Sequence, residues 1–491
     1  MDEQQDVRRE KQEALRTEGI DPYPPRLEPP RTHTTAAALA DFDTLAENKT
    51  PITLAGRLVL MRDGGKTRFG HIEDGDGRIQ IYLRRDDLGE TFYGRFKQVD
   101  LGDFLALTGY LFATKTGEKT LHVTSFAPIS KSLRVLPAKH EGLKDVETRY
   151  RKRYLDLIAN RDEVLPVFIA RAKTLSAIRH YLDGSGYIEV ETPVLQTLYG
   201  GATARPFTTH HNALDRDLFL RIAPELYLKR LLVGGIERVY EIARCFRNEG
   251  IDRTHNPEFT MLEFYEAYSD YQGMMSRVED LVCAAALAIN GSLMLNWQGT
   301  AIDLTPPWQR ITLHDAILQY TGIDYDRYPD REGLLSAIRD KGIKVDPQRG
   351  RGRLIDELKD EMFRSTDPAL LQPIILYDFP LDLSPLAKQK PGYPDTVERF
   401  QAHLAGKQLA TAFSELNDPI DQRRRFEDQV RQKAAGDDEA QELDEDYIEA
   451  LEVGMPPAGG VGIGVDRLVM ALTDQPNIRD VILFPTMREQ E

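Results

Sequence analysis

Between Arg247 and Tyr265 the chain supplies a guanidinium (Arg247), two carboxylates (Glu249, Glu263), an imidazole (His255) and two flat rings (Phe259, Tyr265). Spacing is mostly alternate, and alternation on a strand puts every second side chain on one face. Arg247 and Glu249 then point the same way, as do Phe259, Met261, Glu263 and Tyr265. Two such strands joined by a loop make a hairpin that can grip an anion, a flat ring and an ammonium group together. ATP and an amino acid satisfy that set. A single Arg-x-Glu would read as a surface hairpin with paired charges, whereas the whole string asks for a ligand.

The string Phe246-Arg247-Asn248-Glu249 through Arg253-Thr254-His255-Asn256-Pro257-Glu258-Phe259 to Tyr265 is similar to motif 2 of the class II aminoacyl-tRNA synthetases. The longer run from Glu237 to Tyr268 closely resembles the lysine-specific members of that class. A helix over Val167–Gly184, apolar at Val167, Ile169, Leu175, Ile178 and Leu182, feeds a strand ending at Pro193. That pair resembles motif 1, which builds the homodimer interface. Gly459-Gly460-Val461-Gly462-Ile463-Gly464 followed by Val465-Asp466-Arg467 resembles motif 3, where glycines let a strand pass close to a ligand. The likeness extends from about Pro51 to Pro485 and includes Phe413-Ser414-Glu415-Leu416-Asn417-Asp418.

The resemblance implies a reaction and a set of roles. Lysine's carboxylate attacks the α-phosphorus of ATP, pyrophosphate leaves, and lysine passes to the 3′ end of its tRNA. Alignment and charge stabilisation do most of that work. Arg247 and Arg467 are the expected catalytic cations, Arg247 bridging the substrate carboxylate and the α-phosphate because its planar fork binds oxyanions bidentately. His255 and Arg467 are expected at the outer phosphates, Phe259 stacked on adenine, and Glu249 at the adenine edge. Gly201 and Glu225 fall at the α-amino group, with Glu263, Tyr265, Phe413 and Glu415 completing the lysine set. Buried carboxylates need a cationic complement, which favours lysine over aspartate or asparagine.

One stretch departs from the family. Lysine enzymes carry magnesium-binding Glu at two positions where this chain has Gln401 and Gln408, and Thr411 stands where Asn is usual. A neutral amide oxygen ligates magnesium without the charge that hard cations favour. Mg2+ is then expected to arrive with ATP, held mainly by its phosphates, with no protein carboxylate as ligand. Alongside a working ligase, two other readings stay open. One is an impaired paralogue that binds tRNA or nucleotide as a regulatory module, and the other is a ligase attaching lysine to a protein.

The positioning elements follow from the rest of the chain. Residues 1–50 are polar and proline-rich, with a short helix to about Gly19. Residues 51–135 alternate as five short strands with Gly-rich turns, the pattern of an OB-type barrel that reads single-stranded nucleic acid. Phe69, His71, Gln80 and Tyr82 alternate on two neighbouring strands, where rings can stack on bases or fill the barrel. The resemblance tips Phe69, His71 and Gln80 towards the anticodon, Gln80 standing where these enzymes place a base-reading Gln.

A charged connector over 136–165 leads to a catalytic domain over 166–491, with a helical insertion over about 270–365. Its expected sheet is antiparallel and flanked by helices, which makes the whole chain α+β. In 491 residues with 41% hydrophobic and 29% charged, two or three domains are expected. A net charge of −16 argues against a surface that coats nucleic acid generally, but allows a local basic track. Cys245 and Cys283 are too few for a disulfide framework or a four-ligand zinc site. No apolar run approaches the roughly twenty residues that span a bilayer, and the N-terminus lacks a secretory layout. The expectation is a cytoplasmic homodimer acting on ATP, L-lysine and tRNA.

Overall fold

Strands Ile52–Asp63, Thr67–Glu73, Arg78–Arg84, Lys119–Ser130 and Phe104–Ala113 close, in that order, into a barrel. Their period of two sorts the side chains: Leu54, Ile72, Ile79, Ile81, Leu83, Leu107 and Val123 fill the interior. Phe69 and Tyr82, and likewise His71 and Gln80, face one another across neighbouring strands. All four are half-buried and lie outside that core, so Phe69 and Tyr82 do not fill the barrel. The helix Glu3–Thr17 precedes it, and Ala38, Phe42 and Leu45 from two short helices cap its core. The polar N-terminal stretch thus contributes apolar packing as well as an approach.

The computed structural model describes residues 3–137, 142–434 and 442–489. It divides into two units, Met1–Lys144 and Asp145–Glu491. The second is built on an eight-stranded sheet. Its order is Gln309–Thr312, Ile374–Pro380, Thr396–Leu404, Lys407–Ser414, Ala458–Gly464, Glu258–Ala267, Arg238–Phe246, Ile188–Glu189. Only the two outermost pairings are parallel. Leu262, Phe264, Val461, Ile463, Phe400, Ala402, Ala410 and Ala412 turn to one face. There they pack with Ile178 and Leu182 of helix Arg161–Gly184 and Met274, Val278 and Leu281 of helix Tyr271–Asn290. Alternation then forces the residues between them onto the opposite face.

The strand expected to run to Pro193 pairs only over Ile188–Glu189, parallel to Val239 and Tyr240. One more bond, Val190 N to Tyr240 O at 2.9 Å, precedes the departure of the chain from the sheet. Within the stretch read as a connector, Val146–Arg151 and Arg153–Ala159 form two short helices. The stretch read as an insertion is helical over 313–321, 331–340 and 351–362, yet Tyr271–Asn290 belongs to the sheet's main core. Gln309–Thr312 adds an edge strand that pairs with Ile374–Tyr377.

Candidate active site

Register across the sheet builds the floor of a cavity. Glu263 lies opposite Gly462, Gly462 opposite Thr411, and Thr411 opposite Gln401. The next row runs Tyr265, Gly460, Phe413, Arg399. The glycines leave the middle of each row without a side chain. A Cβ at Gly460 would stand 2.4 Å from Tyr265 Cε1 and 2.0 Å from Glu415 Oε1, distances that no packed atoms tolerate. The cavity holds about 410 Å³. Lining it are Gly201, Glu225, Arg247, Glu249, His255, Phe259, Glu263, Tyr265, Phe413 and Arg467, every proposed ATP or lysine residue but one. Glu415 is not part of the lining, yet its Oε1 lies on the same side of the sheet, in the space that a Cβ at Gly460 would need.

One end of the cavity is cationic. The Arg247 guanidinium stands 5.0 Å over the Phe259 ring, and its Nε is buried without a hydrogen-bond partner among the described residues. Arg467 Nη1 donates to Gln408 O at 2.8 Å, and Nη2 lies 3.1 Å from His255 Nε2. Guanidinium has no acceptor, so His255 Nε2 accepts and its Nδ1–H donates to Asp252 Oδ2 at 2.8 Å. Burial pushes the Asp252 carboxyl up, but hydrogen bonds from Thr254 and His255 outweigh it and hold the group at about 2. The three residues form a preset chain, Asp252–His255–Arg467. Asp466, beside Arg467, accepts from Thr260 N at 2.8 Å and from Arg171 at 2.6 Å, locking the helix start to the hairpin.

The other end is acidic and closed. Glu225 opens the helix Glu225–Val233 and Glu263 projects from the hairpin, at 6% and 4% exposure. Burial, and then the neighbouring Glu225 charge, raise the Glu263 carboxyl well above its ordinary range. Tyr265 Oη donates to Glu263 Oε2 at 2.9 Å. Gly201 has φ +85°, and a Cβ there would lie 2.8 Å from Glu225 Cβ, so only glycine fits beside this carboxylate. Lys229, four residues after Glu225, is fully buried and pairs with it at 2.7 Å.

Arg353, Asp356 and Lys359 of helix Arg351–Met362 also line the cavity, and these the sequence reading missed. Their i, i+3, i+6 spacing was the available signal, but it is equally that of a solvated helix face. At the floor, Gln401 is buried with Oε1 unpartnered among the described residues, while Gln408 Nε2 donates to Thr411 Oγ1 at 2.8 Å. Toward a cation both side chains offer a neutral amide oxygen, without the charge of a carboxylate. Among the described residues the one His–carboxylate grouping at metal-ligand spacing is His314, Asp324 and Asp326, none of which lines the cavity.

On the barrel, His71 Nε2 lies 3.1 Å from Glu118 Oε1, and Gln80 Oε1 accepts from Thr120 Oγ1 at 2.8 Å. The Phe69 and Tyr82 rings are 4.8 Å apart. Tyr82 also meets Phe112 and His122 edge-on, extending the aromatic face beyond the residues picked from sequence.

A family model described as tRNA synthetases class II (D, K and N) matches residues 145–488. The chain belongs to the class II tRNA synthetases. A second model, the OB-fold nucleic acid binding domain, matches residues 52–129 of this synthetase. The synthetase is 52% identical over 486 residues to a protein of Moorella thermoacetica named lysine–tRNA ligase, covering 99% of this chain and 98% of that one. A protein of the same name from Roseiflexus castenholzii is 52% identical over 493 residues, covering 100% of both chains. One from Enterococcus faecalis is 49% identical, over 99% and 98%. Among the described residues no helix of the synthetase is long and apolar enough to cross a membrane.

Proposed function

We propose that this chain is a lysine–tRNA ligase. It joins L-lysine to ATP, forming lysyl-adenylate and releasing pyrophosphate. It then transfers the lysyl group to the 3′-terminal hydroxyl of its tRNA, releasing AMP. The observation that carries this reading is a single cavity with two buried carboxylates, Glu225 and Glu263, at one end and Arg247, His255 and Arg467 at the other. Lysine bears two ammonium groups and a carboxylate, and ATP is a polyanion with a flat base. The relatives' shared name supports the same choice.

In this reading Glu225, with Gly201, takes the α-ammonium, and Glu263 with Tyr265 takes the ε-ammonium. Phe413 walls the aliphatic stem, and Glu415 supplies charge beside Gly460. Arg247 draws the lysine carboxylate and the α-phosphate together, so that attack is in line and the developing charge is met by its fork. Arg467 and His255 hold the leaving pyrophosphate, Phe259 stacks on adenine, and Glu249 meets its edge. Magnesium enters as MgATP: Gln401 and Gln408 stand where the family resemblance expects carboxylates, and they offer no anionic ligand. Phe69, His71 and Gln80 read the anticodon on the barrel. The working form is a cytoplasmic homodimer, its contact built around helix Arg161–Gly184.

Lysine-dependent ATP–pyrophosphate exchange across a magnesium series tests the reading, with aspartate and asparagine as controls. Exchange with lysine alone is the expected result. Silence at every magnesium concentration would instead favour a tRNA-binding paralogue disabled at Gln401 and Gln408.

A further inference from the structure

Lys229 has no role in the reaction as described, yet it is fully buried beside the amino-acid end of the cavity. Its Nζ lies 2.7 Å from Glu225 Oε1, forms an ion pair with Glu415, and stands 5.1 Å over the Phe413 ring. Glu415 is 2% exposed, and its Oε1 has no hydrogen-bond partner among the described residues. Among the described residues the other groups facing this cluster are Glu263 and Tyr265 from the hairpin, Arg247 beyond them, Arg399 from Thr396–Leu404, and Tyr447 from Glu445–Val453 with Arg230 beside it. Arg399 donates to Leu383 O and Ser384 Oγ and feels the charges of Asp356 and then Glu225 from a distance, without an ion pair to either among the described residues. Tyr265 and Tyr447 are held neutral, burial raising both phenols.

Among the described residues the cluster thus sets three carboxylates, Glu225, Glu263 and Glu415, against one ammonium in direct ion-pair contact, that of Lys229. Three buried negative charges facing two substrate ammoniums would leave one without a partner, and an unpartnered buried charge is costly enough to bind a proton instead. We propose that Lys229 is a positioning residue that sets the charge of the pocket. By neutralising one of the three carboxylates, it leaves two negative charges, which match the two ammonium groups of a dibasic amino acid. The inference rests on reading the cavity as a lysine site and adds the residue that tunes it. Burial raises the Glu415 and Glu263 carboxyls while the Lys229 ammonium opposes both rises, so removing Lys229 moves both titrations upward.

The test uses the full-length protein, with KM for lysine and for ATP measured separately by exchange between pH 6 and 9. Lys229→Met should raise the lysine KM by about tenfold or more, leave the ATP KM within about twofold, and shift the inflection of lysine KM to higher pH. Lys229→Arg, which keeps the charge, should restore the wild-type inflection. Lys229→Met/Glu415→Gln deletes both charges and keeps the balance. Its lysine KM should lie closer to wild type than that of either single variant, and it serves if Lys229→Met alone does not fold. An unchanged inflection with both KM values shifted together, or losses that simply add in the double variant, would overturn the role of Lys229. A silent wild type would remove the lysine reading itself, which is a separate outcome.

Discussion

The two ends of the cavity are built on opposite terms. At the acidic end, Glu225 and Glu263 are almost fully buried and already engaged, by Lys229 and Tyr265. At the cationic end, His255 and Glu249 are exposed and Arg247 keeps a buried Nε without a partner among the described residues. A pocket that must choose one amino acid gains from charges held rigidly in a dry site, where a wrong ligand leaves them unpaired. ATP is large and highly charged, so two half-buried guanidiniums, Arg247 and Arg467, beside an open rim of His255 and Glu249 can receive it. In the proposed reading, selectivity resides at the closed end and the pull on the reacting phosphate at the open one.

Arg247→Ala breaks the open end and carries the largest expected effect. Exchange should fall by about 10²–10³-fold or more, the size of losing a transition-state donor. Circular dichroism and sedimentation should show the fold and the oligomer unchanged. Near-normal exchange in that variant would end the assignment of the hairpin.

Glu263→Gln separates the ends. The lysine KM should rise by roughly a hundredfold, comparable to losing one partner of a buried pair, while the ATP KM stays nearly constant. In the wild type the lysine KM should improve as pH rises from 6 to 8, because Glu263 is raised by burial and by Glu225 and must ionise to meet an ammonium. The same shift has a stability consequence with a fixed sign. A carboxyl raised in the folded state favours folding below its unfolded pKa and costs stability as pH rises through the folded value. Thermal melts of the ligand-free variant should therefore exceed wild type at pH 8 and converge with it near pH 4. A variant less stable at both pH values would contradict the buried-charge account.

On the barrel, Phe69→Ala should cut tRNA charging by about tenfold, as expected for one stacked base, and leave lysine exchange untouched. If exchange falls in parallel, Phe69 serves the fold and not the anticodon. The smallest effect is expected at the floor. Gln401→Glu with Gln408→Glu should lower the magnesium needed for half-maximal exchange by a few-fold, since two carboxylates supply the charge that amides lack. An identical magnesium titration would show that the amides have no part in metal handling.

Much of the site was legible because its residues are close in the chain and the strand period ties them together. Phe259, Met261, Glu263 and Tyr265 share a face by alternation alone, and the glycines from Gly459 to Gly464 signal a close approach. The barrel was legible for the same reason, from short alternating runs between turns. Arg353, Asp356 and Lys359 were not, because a charged helix face looks the same whether it meets solvent or a cavity. The short strand at Ile188–Glu189 was overestimated, since an extended run of residues does not reveal where its partner ends.

By itself, then, the sequence determined which side chains share a strand face, where the backbone must stay bare, and which stretches carry the carboxylates and guanidiniums. Tertiary structure decided what distance along the chain conceals. It set the register that lays Glu263, Gly462, Thr411 and Gln401 in one row. It also set the Glu415 carboxylate over the bare face of Gly460 and brought the Lys229 ammonium between Glu225 and Glu415. The physical reason is that periodicity is a local property, whereas burial and charge pairing depend on neighbours that only folding brings within reach.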